Sequence, residues 1–410
     1  MSGPRTYLDW NATAPLRAEA RSAMLAALDC VGNASSPHAE GRRARALMES
    51  AREQIADCLG ADPRRVIFTS GATEAANWLL TPNGAGAAGK AGFALLLLGA
   101  TEHACVLEGH RFTVERAERI PVDGDGAVDL TWLERRLAEA VAQHGPGRTL
   151  VAVQAANNET GVLQPLAPVA DVLARAQASW VCDAVQAVGR TALDVSAIGR
   201  GALFLSGHKL GGPKGVGAVV FASDDLSPEP LLRGGGQERR QRSGTENVAA
   251  IAGLAAALAA AVAERDEVAA LSQRLQRRFE AGLRSLSSEV VIFGAAGPRL
   301  ANTTSFALPG IAAETALIAL DLDGVAVSSG SACSSGRVAQ SHVLEAMAVA
   351  PALRASALRV SSGRASSEAE VDTCLAALRR LADGQAKRHL QRAKVARAAG
   401  GMSLAVEGLG

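Results

Sequence analysis

Short apolar runs alternate with helical patterns along the first half of the chain, from Val66 to Phe221. Runs such as Leu95–Leu98 and Ala202–Leu205 have the length and the continuous apolar character of strands that are buried on both faces. Strands that alternate with helices are typical of a parallel sheet with helices on both sides. The pattern therefore predicts an α/β fold, with a large domain in which helices sandwich a mostly parallel sheet.

The pattern changes in the second half of the chain. A long helical stretch from Val248 through Arg284 is predicted to leave the large domain and to bridge to a second unit. Three later segments have the character of strands among helices: Val290–Phe293, Thr303–Leu308 and Ala357–Val360. We therefore expect a smaller α+β domain after the large one.

Composition limits the classes of protein to consider. With 410 residues and 48% hydrophobic content, the chain can bury one large and one smaller core. A net charge of +1 gives no reason to expect nucleic acid or a membrane as a partner. The longest apolar run, Val248–Ala263, is rich in alanine and short for a bilayer span, so we expect a buried helix.

Cysteine usage and the first residues point to a cellular compartment. The six cysteines include no C-x-x-C pair and no spacing typical of a secreted disulfide framework. No apolar signal region follows Met1. We therefore expect a cytoplasmic protein in a reducing environment.

Lys209 is the residue that suggests a chemistry. It follows the predicted strand Ala202–Leu205 within the string Ser-Gly-His-Lys-Leu-Gly-Gly, so its amine is presented to a cleft. A lysine held partly out of water has a lowered pKa and can condense with an aldehyde, which is how enzymes hold pyridoxal phosphate. A single lysine of this kind is more often a solvated surface residue, so a cofactor site is predicted only if other suitable residues accompany it.

Two of those companions follow other predicted strands. Ser179–Asp183 ends on a carboxylate, which can keep a pyridine nitrogen protonated or can simply cap the next helix. Leu95–Leu98 leads to His103, whose imidazole can stack on a ring or move protons, although a single histidine is more often structural.

A third companion is a strand, turn and helix start. Val66–Thr69 leads through Ser70 and Gly71 into Ala72 and Thr73. Exposed amides and a hydroxyl at a helix N-terminus form a phosphate site. Together with Lys209, these residues predict a pyridoxal phosphate site.

Two other segments resemble known patterns but lack their context. Residues 84–91 satisfy G-x-G-x-x-G and nearly match a Walker A motif, yet a helix is predicted before them and a strand after them. We therefore expect a flexible connector there. The cationic residues 239–242 lack interleaved aromatic residues, so we expect no nucleic acid site.

Ten segments resemble, in order, the motifs of the cysteine desulfurases, which are class V aminotransferase-type enzymes that use pyridoxal phosphate. The likeness covers about residues 5 to 383. The segments are Tyr7–Asp9, Gly32–His38, Phe68–Glu74, Thr101–His103, Asn157–Gly161, Asp183–Gln186, Ser206–Gly215, Gly234–Arg239, Arg242–Thr245 and Ser328–Cys333. So many ordered motifs are far more specific than any one of them.

The resemblance implies fold type I of the pyridoxal phosphate-dependent transferases. It divides the chain into a large cofactor-binding domain, residues 15–262, and a small domain formed by residues 1–14 and 263–384. After Asp383 the helical pattern degrades, and we expect a loosely ordered or only partly helical tail at residues 385–410.

The resemblance also implies a role for each matching residue. Lys209 would bind the cofactor aldehyde and then act as a base, and His103 would lie over the ring and serve as acid and base. Asp183 would pair with the pyridine nitrogen, while Gln186 and Asn158 would contact the ring oxygen. Arg359 would bind the substrate carboxylate. The expected phosphate ligands are Ala72, Thr73, Ser206 and His208, with Thr245 contributed by the partner subunit of a homodimer.

Cys333 determines which reaction is expected. It lies among small polar residues, Ser328–Gly336, that cannot pack a core and that predict a mobile loop. A thiolate there can take sulfur from cofactor-bound L-cysteine as a persulfide and carry it outward. Free cysteine is commonly a small buried hydrophobe, but these neighbours argue against burial.

Three functions are therefore weighed. The leading one is a cysteine desulfurase that forms L-alanine and passes sulfur to a scaffold protein for iron–sulfur cluster assembly, which includes nitrogenase maturation. The second is an aminotransferase or a kynureninase-like hydrolase on the same scaffold. The third is a non-catalytic sulfur carrier. No resident metal is expected, and Cys333 would meet a cluster only in a scaffold complex.

Overall fold

The computed structural model describes residues 5–85, 91–329 and 340–384. Its strands are β1 (Thr6–Tyr7), β2 (Val66–Thr69), β3 (Gly84–Ala85), β4 (Leu95–Gly99), β5 (Ala117–Ile120), β6 (Thr149–Ala152), β7 (Ser179–Asp183), β8 (Gly201–Ser206), β9 (Gly217–Phe221), β10 (Ser227–Pro228), β11 (Val291–Ile292), β12 (Thr303–Ala307), β13 (Val325–Ala326) and β14 (Ala357–Ser361).

The helices lie between and after these strands. They are α1 (Ala18–Leu28), α2 (Ala39–Leu59), α3 (Ala72–Leu79), α4 (Ala104–Leu107), α5 (Leu130–His144), α6 (Leu166–Ala176), α7 (Val248–Ala263), α8 (Arg265–Leu286), α9 (Ala313–Leu322), α10 (His342–Ala346), α11 (Pro351–Arg354) and α12 (368–384).

The main sheet has the strand order β2-β9-β8-β7-β6-β4-β5. All neighbouring pairs from β8 through β5 are parallel, whereas β9 is antiparallel to both β8 and β2. Every strand except β9 therefore runs in the same direction, which confirms the predicted mostly parallel sheet. A consequence is that β2, β4, β6, β7 and β8 all end at one edge of the sheet, where ligands bind in such folds.

Helices cover both faces of this sheet, as the alternation in β4 shows. Leu95 and Leu97 pack into one hydrophobic cluster, while Leu96 and Leu98 pack into the other. Successive side chains of a strand point to opposite faces, so a continuous leucine run fits only a strand that is buried on both sides. The sandwich of helices and sheet is confirmed.

Helix α2 illustrates how the sequence forms the covering layer. Ala44, Met48, Ala51 and Ile55 recur at helical spacing and are all buried in the large core. The helix ends at Gly60, whose φ of +66° is the left-handed conformation that favours glycine.

A second group of elements has a core of its own. Strands β11, β12 and β14 form an antiparallel sheet, and β1 pairs in parallel with β13. Leu8 from the start of the chain packs in one cluster with residues such as Phe279, Phe306 and Leu358. This grouping is what a small domain of residues 1–14 and 263–384 would require, and the boundaries themselves remain a prediction.

The predicted helical stretch from Val248 through Arg284 is divided into two helices. Helices α7 and α8 meet at a bend of 68°. Helix α7 is apolar and largely buried in the large core, whereas α8 is amphipathic and contributes to the other core. Glu264, between them, accepts a 2.7 Å hydrogen bond from Arg17 Nη1. The bend follows because the two helices bury their apolar faces in different cores.

Two further expectations concern local segments. Gly84 and Ala85 pair with Ser227 and Pro228 as an antiparallel ribbon, so the predicted connector at residues 84–91 begins as a strand, which corrects that prediction. The sequence pattern predicts no regular structure for these residues, and their conformation is set by backbone hydrogen bonds to a distant segment. Across the described residues, no single helix is long and apolar enough to cross a membrane.

Candidate active site

One cleft of about 610 Å³ opens at the sheet edge where β2, β4, β6, β7 and β8 end. Because parallel strands end together, residues that lie far apart in sequence meet there. Ten of the predicted site residues line the cleft: Ala72, Thr73, His103, Asn158, Asp183, Gln186, Ser206, His208, Lys209 and Arg359.

The turn after β2 forms one corner of the cleft. Gly71 has a φ of +152° and precedes α3, which begins at Ala72. A Cβ on Gly217 would lie 2.8 Å from the Gly71 Cα, so the neighbouring strand requires glycine at position 217. The first amides of a helix have no intrahelical partner, so Ala72 and Thr73 present donors suited to a phosphate.

Lys209 lies just after β8 and points into the cleft. Its Nζ donates to the backbone carbonyls of Asn11, at 2.7 Å, and Ala12, at 2.9 Å. Burial, followed by the positive charges of Arg359 and Arg190, lowers the pKa of this amine to about 8. At pH 7 about one amine in ten is then neutral, against about one in three thousand at the usual pKa of 10.5.

Asp183 is the last residue of β7 and is almost fully buried. Its Oδ1 accepts a 2.9 Å hydrogen bond from the Val185 amide. Burial raises the pKa of the carboxyl to about 6, although the Val185 amide and Lys209 oppose the shift. The carboxylate is therefore still mostly ionised at pH 7 and can pair with a protonated ring nitrogen.

His103 stands at the wall of the cleft at the start of α4. Its Nδ1 accepts a 3.1 Å hydrogen bond from the Cys105 amide, so a neutral imidazole must carry its proton on Nε2. Burial, followed by the nearby Lys209 and His342, lowers the pKa of His103 below 6.5. At pH 7 this side chain is therefore a neutral imidazole with an N–H donor.

Arg359 in β14 reaches the cleft from the second group of elements. Its Nη2 donates to Asp9 Oδ1 at 2.6 Å, and its Nη1 donates to the Asn158 carbonyl at 2.9 Å. Its Nε is buried and has no hydrogen-bond partner among the described residues. Two hydrogen bonds thus fix the plane of the guanidinium, and the Nε–H donor stays available for a carboxylate.

Gln186 and His208 complete the walls of the cleft. Gln186 Nε2 donates to the Asn11 carbonyl at 3.1 Å, and its Oε1 accepts from Arg190. A ring nitrogen of His208 lies 3.3 Å from Thr13 Oγ1. Burial and the adjacent lysines lower the pKa of His208 to about 4, so this imidazole is neutral at pH 7.

Two predicted residues do not join this group. Thr245 is exposed and does not line the cleft of its own chain, and its role in a partner subunit stays a prediction. Cys333 lies outside the described residues. Among the described cysteines, Cys105 lines the cleft, but burial and then Asp183 and Glu102 raise the pKa of its thiol. A half-buried thiol whose pKa is raised in this way stays protonated and is a poor nucleophile.

Sequence reasoning missed three contributors to the site. Asn11 acts through its backbone carbonyl, which no side-chain pattern can reveal. Arg190 follows Gln186 by four residues and contacts it, yet a lone arginine after a turn carries no signal. Glu102 lies in the segment Thr101–His103, but no sequence pattern assigns it a role. It is buried, and its Oε1 accepts a 2.6 Å hydrogen bond from the backbone amide of Gln154.

These residues fit pyridoxal phosphate. One cleft presents an amine of lowered pKa, a buried carboxylate on a neighbouring strand and free amides at a helix N-terminus. Its volume lies within the range of small-molecule sites. Lys209, Asp183, Ala72 and Thr73 would hold the group. Among the described residues, no cluster of three His, Cys, Asp or Glu side chains is suited to a metal ion.

Comparison with known proteins gives consistent matches. The model of the family Aminotransferase class-V matches residues 6–374. The IscS-like cysteine desulfurase of Mycobacterium tuberculosis is 40% identical over 380 residues, which cover 91% of this chain and 95% of the relative.

Solved structures of similar proteins also match this chain over most of its length. The NifS-like protein from Rickettsia africae has a TM-score of 0.81 and 32% identity, with 92% of this chain and 99% of that chain covered. A structure of SspA in complex with cysteine has a TM-score of 0.70 and 26% identity, with 87% of this chain and 98% of that chain covered. The family match includes every residue of the cleft described above.

Proposed function

The chain belongs to the class-V aminotransferase family and, within it, to the cysteine desulfurases, and we propose that it converts L-cysteine to L-alanine while transferring sulfur to Cys333. The observation that carries this proposal is the single cleft in which Lys209, Asp183 and His103 meet. Members of the family depend on pyridoxal phosphate, and the cleft fits that cofactor.

The cofactor, when bound, supplies an aldehyde that condenses with amines and a ring that withdraws electrons from the bonds of the attached amino acid. Lys209 provides the amine. With a pKa of about 8, its Nζ can be neutral often enough to attack an aldehyde near neutral pH. Once released, the same Nζ is placed to remove the proton from the substrate Cα.

Asp183 and His103 control protons on either side of the reacting atoms. The ionised Asp183 carboxylate would hold a proton on the ring nitrogen of the bound cofactor, because a buried anion favours the protonated form of its partner. His103 carries its proton on Nε2 and is placed to donate a hydrogen bond from it to the leaving sulfur. Because its pKa is lowered, the imidazolium is a minor species at pH 7, and once formed it gives up its extra proton readily.

Arg359 binds the substrate carboxylate. Its bonds to Asp9 and to the Asn158 carbonyl fix the plane of the guanidinium before a substrate arrives. A preorganised bidentate donor orients an α-amino acid more precisely than a flexible ammonium does.

Cys333 receives the sulfur. Its thiolate attacks the substrate sulfur, the carbon–sulfur bond breaks, and a sulfur–sulfur bond forms. The electron pair left on carbon takes up a proton, which yields L-alanine and an enzyme persulfide. The family resemblance supports a scaffold protein of iron–sulfur cluster assembly as the acceptor and a homodimer as the working form, and the cysteine usage of the chain supports the cytoplasm as the location. Nitrogenase maturation is a narrower version of the same role.

The experiment compares sulfide release from L-cysteine by the cofactor-loaded parent and by Cys333→Ala, in the presence of a thiol reductant. Cys30→Ala serves as the matched control, because Cys30 is half-buried and does not line the cleft. We expect sulfide from the parent and the control and almost none from Cys333→Ala, with the cofactor retained in all three. Equal release from all three would show that Cys333 is dispensable. Transamination of pyruvate without sulfide release would favour the aminotransferase.

A further inference from the structure

Arg190 is a half-buried residue behind Lys209, at the end of the turn that follows β7. Its Nη1 donates to the side-chain Oε1 of Gln186 and, at 3.1 Å, to the Gln186 backbone carbonyl. Its Nη2 lies 3.4 Å from the Lys209 carbonyl. One guanidinium therefore touches two residues of the cleft, although Arg190 itself does not line it.

The charge of Arg190 is not neutralised locally. Within the described part of the chain, no carboxylate forms an ion pair with Arg190, and its bonds go to neutral oxygens. Burial, followed by the positive charge of Arg359, lowers the pKa of this guanidinium to about 10. Even a half-buried cation is costly without a counter-ion, so its position behind Lys209 suggests a use.

The first use concerns the amide of Gln186. A guanidinium has only donors, so the atom of Gln186 that faces Arg190 must be the carbonyl oxygen Oε1. The amide nitrogen Nε2 is thereby placed on the other side, where it donates to the Asn11 carbonyl at 3.1 Å. Arg190 thus fixes Gln186 as a hydrogen-bond donor at the wall of the cleft.

The second use concerns the amine of Lys209. A positive charge beside an ammonium favours the neutral amine. We propose that Arg190 is a positioning residue that orients the Gln186 amide as a donor and holds a positive charge beside Lys209. This inference rests on the proposed function only in taking Lys209 as the amine that binds the cofactor.

Other charges also face Lys209, so the contribution of Arg190 must be separated from theirs. The titratable and charged groups around the amine are Arg359, Arg190, Asp183, Asp9, His103, His208 and Cys105. Arg359 acts in the same direction as Arg190, whereas the carboxylates of Asp183 and Asp9 act in the opposite direction. Replacing Arg190 alone leaves all the other groups in place.

The first test measures the pKa of Lys209 in the full chain after removal of the cofactor. Amine acylation is followed as a function of pH, and the Lys209 peptide is quantified by mass spectrometry. The variants are Arg190→Met, which removes the charge, and Arg190→Lys, which keeps it. Arg265→Met is the matched control, because Arg265 lines the same small cavity as Arg190 but contacts neither Gln186 nor Lys209.

We expect Arg190→Met to raise the pKa of Lys209 by about one unit, and Arg190→Lys and Arg265→Met to leave it near the parent value. An unchanged pKa in Arg190→Met, or an equal rise in Arg190→Lys, would overturn the proposal. No cofactor and no cysteine are present, so failure of the desulfurase assay would leave this result intact.

The second test measures the cofactor dissociation constant. Arg190→Lys should bind pyridoxal phosphate about tenfold more weakly than the parent, because an ammonium cannot hold both the side chain and the backbone of Gln186. Gln186→Leu should weaken binding to a similar extent, and the double variant should lose little more than either single one. Fully additive losses would contradict the orienting role.

Discussion

The side chains of Arg52 and Glu238 form a doubly hydrogen-bonded ion pair inside the protein, with N–O distances of 2.7 and 2.9 Å. Both side chains are nearly fully buried, and Glu238 also accepts a 2.9 Å bond from the Phe68 amide in β2. Residues 238–240 have φ values of 44°, 54° and 65°, a left-handed conformation that residues other than glycine avoid. The pair thus holds a strained turn against the strand that leads to Gly71.

Removal of one partner should be strongly destabilising. Arg52→Met leaves the Glu238 carboxylate buried without its counter-ion, and we expect a loss of about 3–5 kcal/mol in the free energy of unfolding. Chemical denaturation measures this change. The exposed pair of Arg278 and Asp372 supplies the control, and Arg278→Met should have a much smaller effect. Equal losses in the two variants would show that burial of the Arg52 pair does not matter.

Replacement of Asp183 should stabilise the cofactor-free protein while it removes activity. The pKa of Asp183 is raised from 3.8 to about 6, so between about pH 4 and pH 6 the native state keeps a proton that the unfolded chain releases. Stability therefore falls as the pH rises through this window, and the cost is complete above it. Asp183→Asn should gain about 3 kcal/mol at pH 7.

The measurement for Asp183→Asn is denaturant unfolding of the cofactor-free chain at pH 4 and at pH 7. The gain should be present at pH 7 and nearly absent at pH 4. Asp194→Asn is the control, because a hydrogen bond from Ser196 lowers the pKa of Asp194 and its replacement should not stabilise. A destabilised Asp183→Asn at pH 7 would refute the raised pKa.

The two lysines of the cleft should differ completely in their effect on the cofactor. Lys209 lies just after β8 and has a lowered pKa, whereas Lys214 lines the same cleft but is exposed. Lys209→Ala should lose the visible absorption of lysine-bound pyridoxal phosphate, and Lys214→Ala should keep it. Retention of that absorption in Lys209→Ala would mean that another amine binds the aldehyde.

Mixed dimers can test whether Thr245 serves the neighbouring subunit. Lys209→Ala and Thr245→Val chains carry different tags and are co-expressed, and the mixed species is purified. If Thr245 acts across the interface, one site of the mixed dimer keeps both residues and should have half of the parent activity. If it acts within its own chain, both sites are defective, and activity should stay near that of the single variants.

Much of the site could be predicted because its residues follow apolar strands. Asp183 ends a buried strand, and His103 and Lys209 follow the ends of two others within four residues, while parallel strands must end at one edge of a sheet. The glycine turn before Ala72 carried its own local signal for a helix N-terminus. Each of these inferences needs only neighbouring residues and the direction of a strand.

Other features could not be read in this way. The break between α7 and α8 arises because each helix packs into a different core, which the continuous helical pattern does not reveal. The short β3 ribbon depends on its pairing with Ser227 and Pro228, which lie more than 140 positions away in sequence.

The sequence alone determined the fold class, the strand ends and the identity of the groups that carry charge or protons. Only the tertiary structure decided their state: the carbonyls of Asn11 and Ala12 that hold the Lys209 amine, the pairing of Arg359 with Asp9, and the contact between Arg190 and Gln186. Hydrophobic periodicity depends only on neighbouring residues, so it can be recognised in the sequence. Burial, hydrogen-bond partners and pKa values depend on groups that folding brings together from distant parts of the chain.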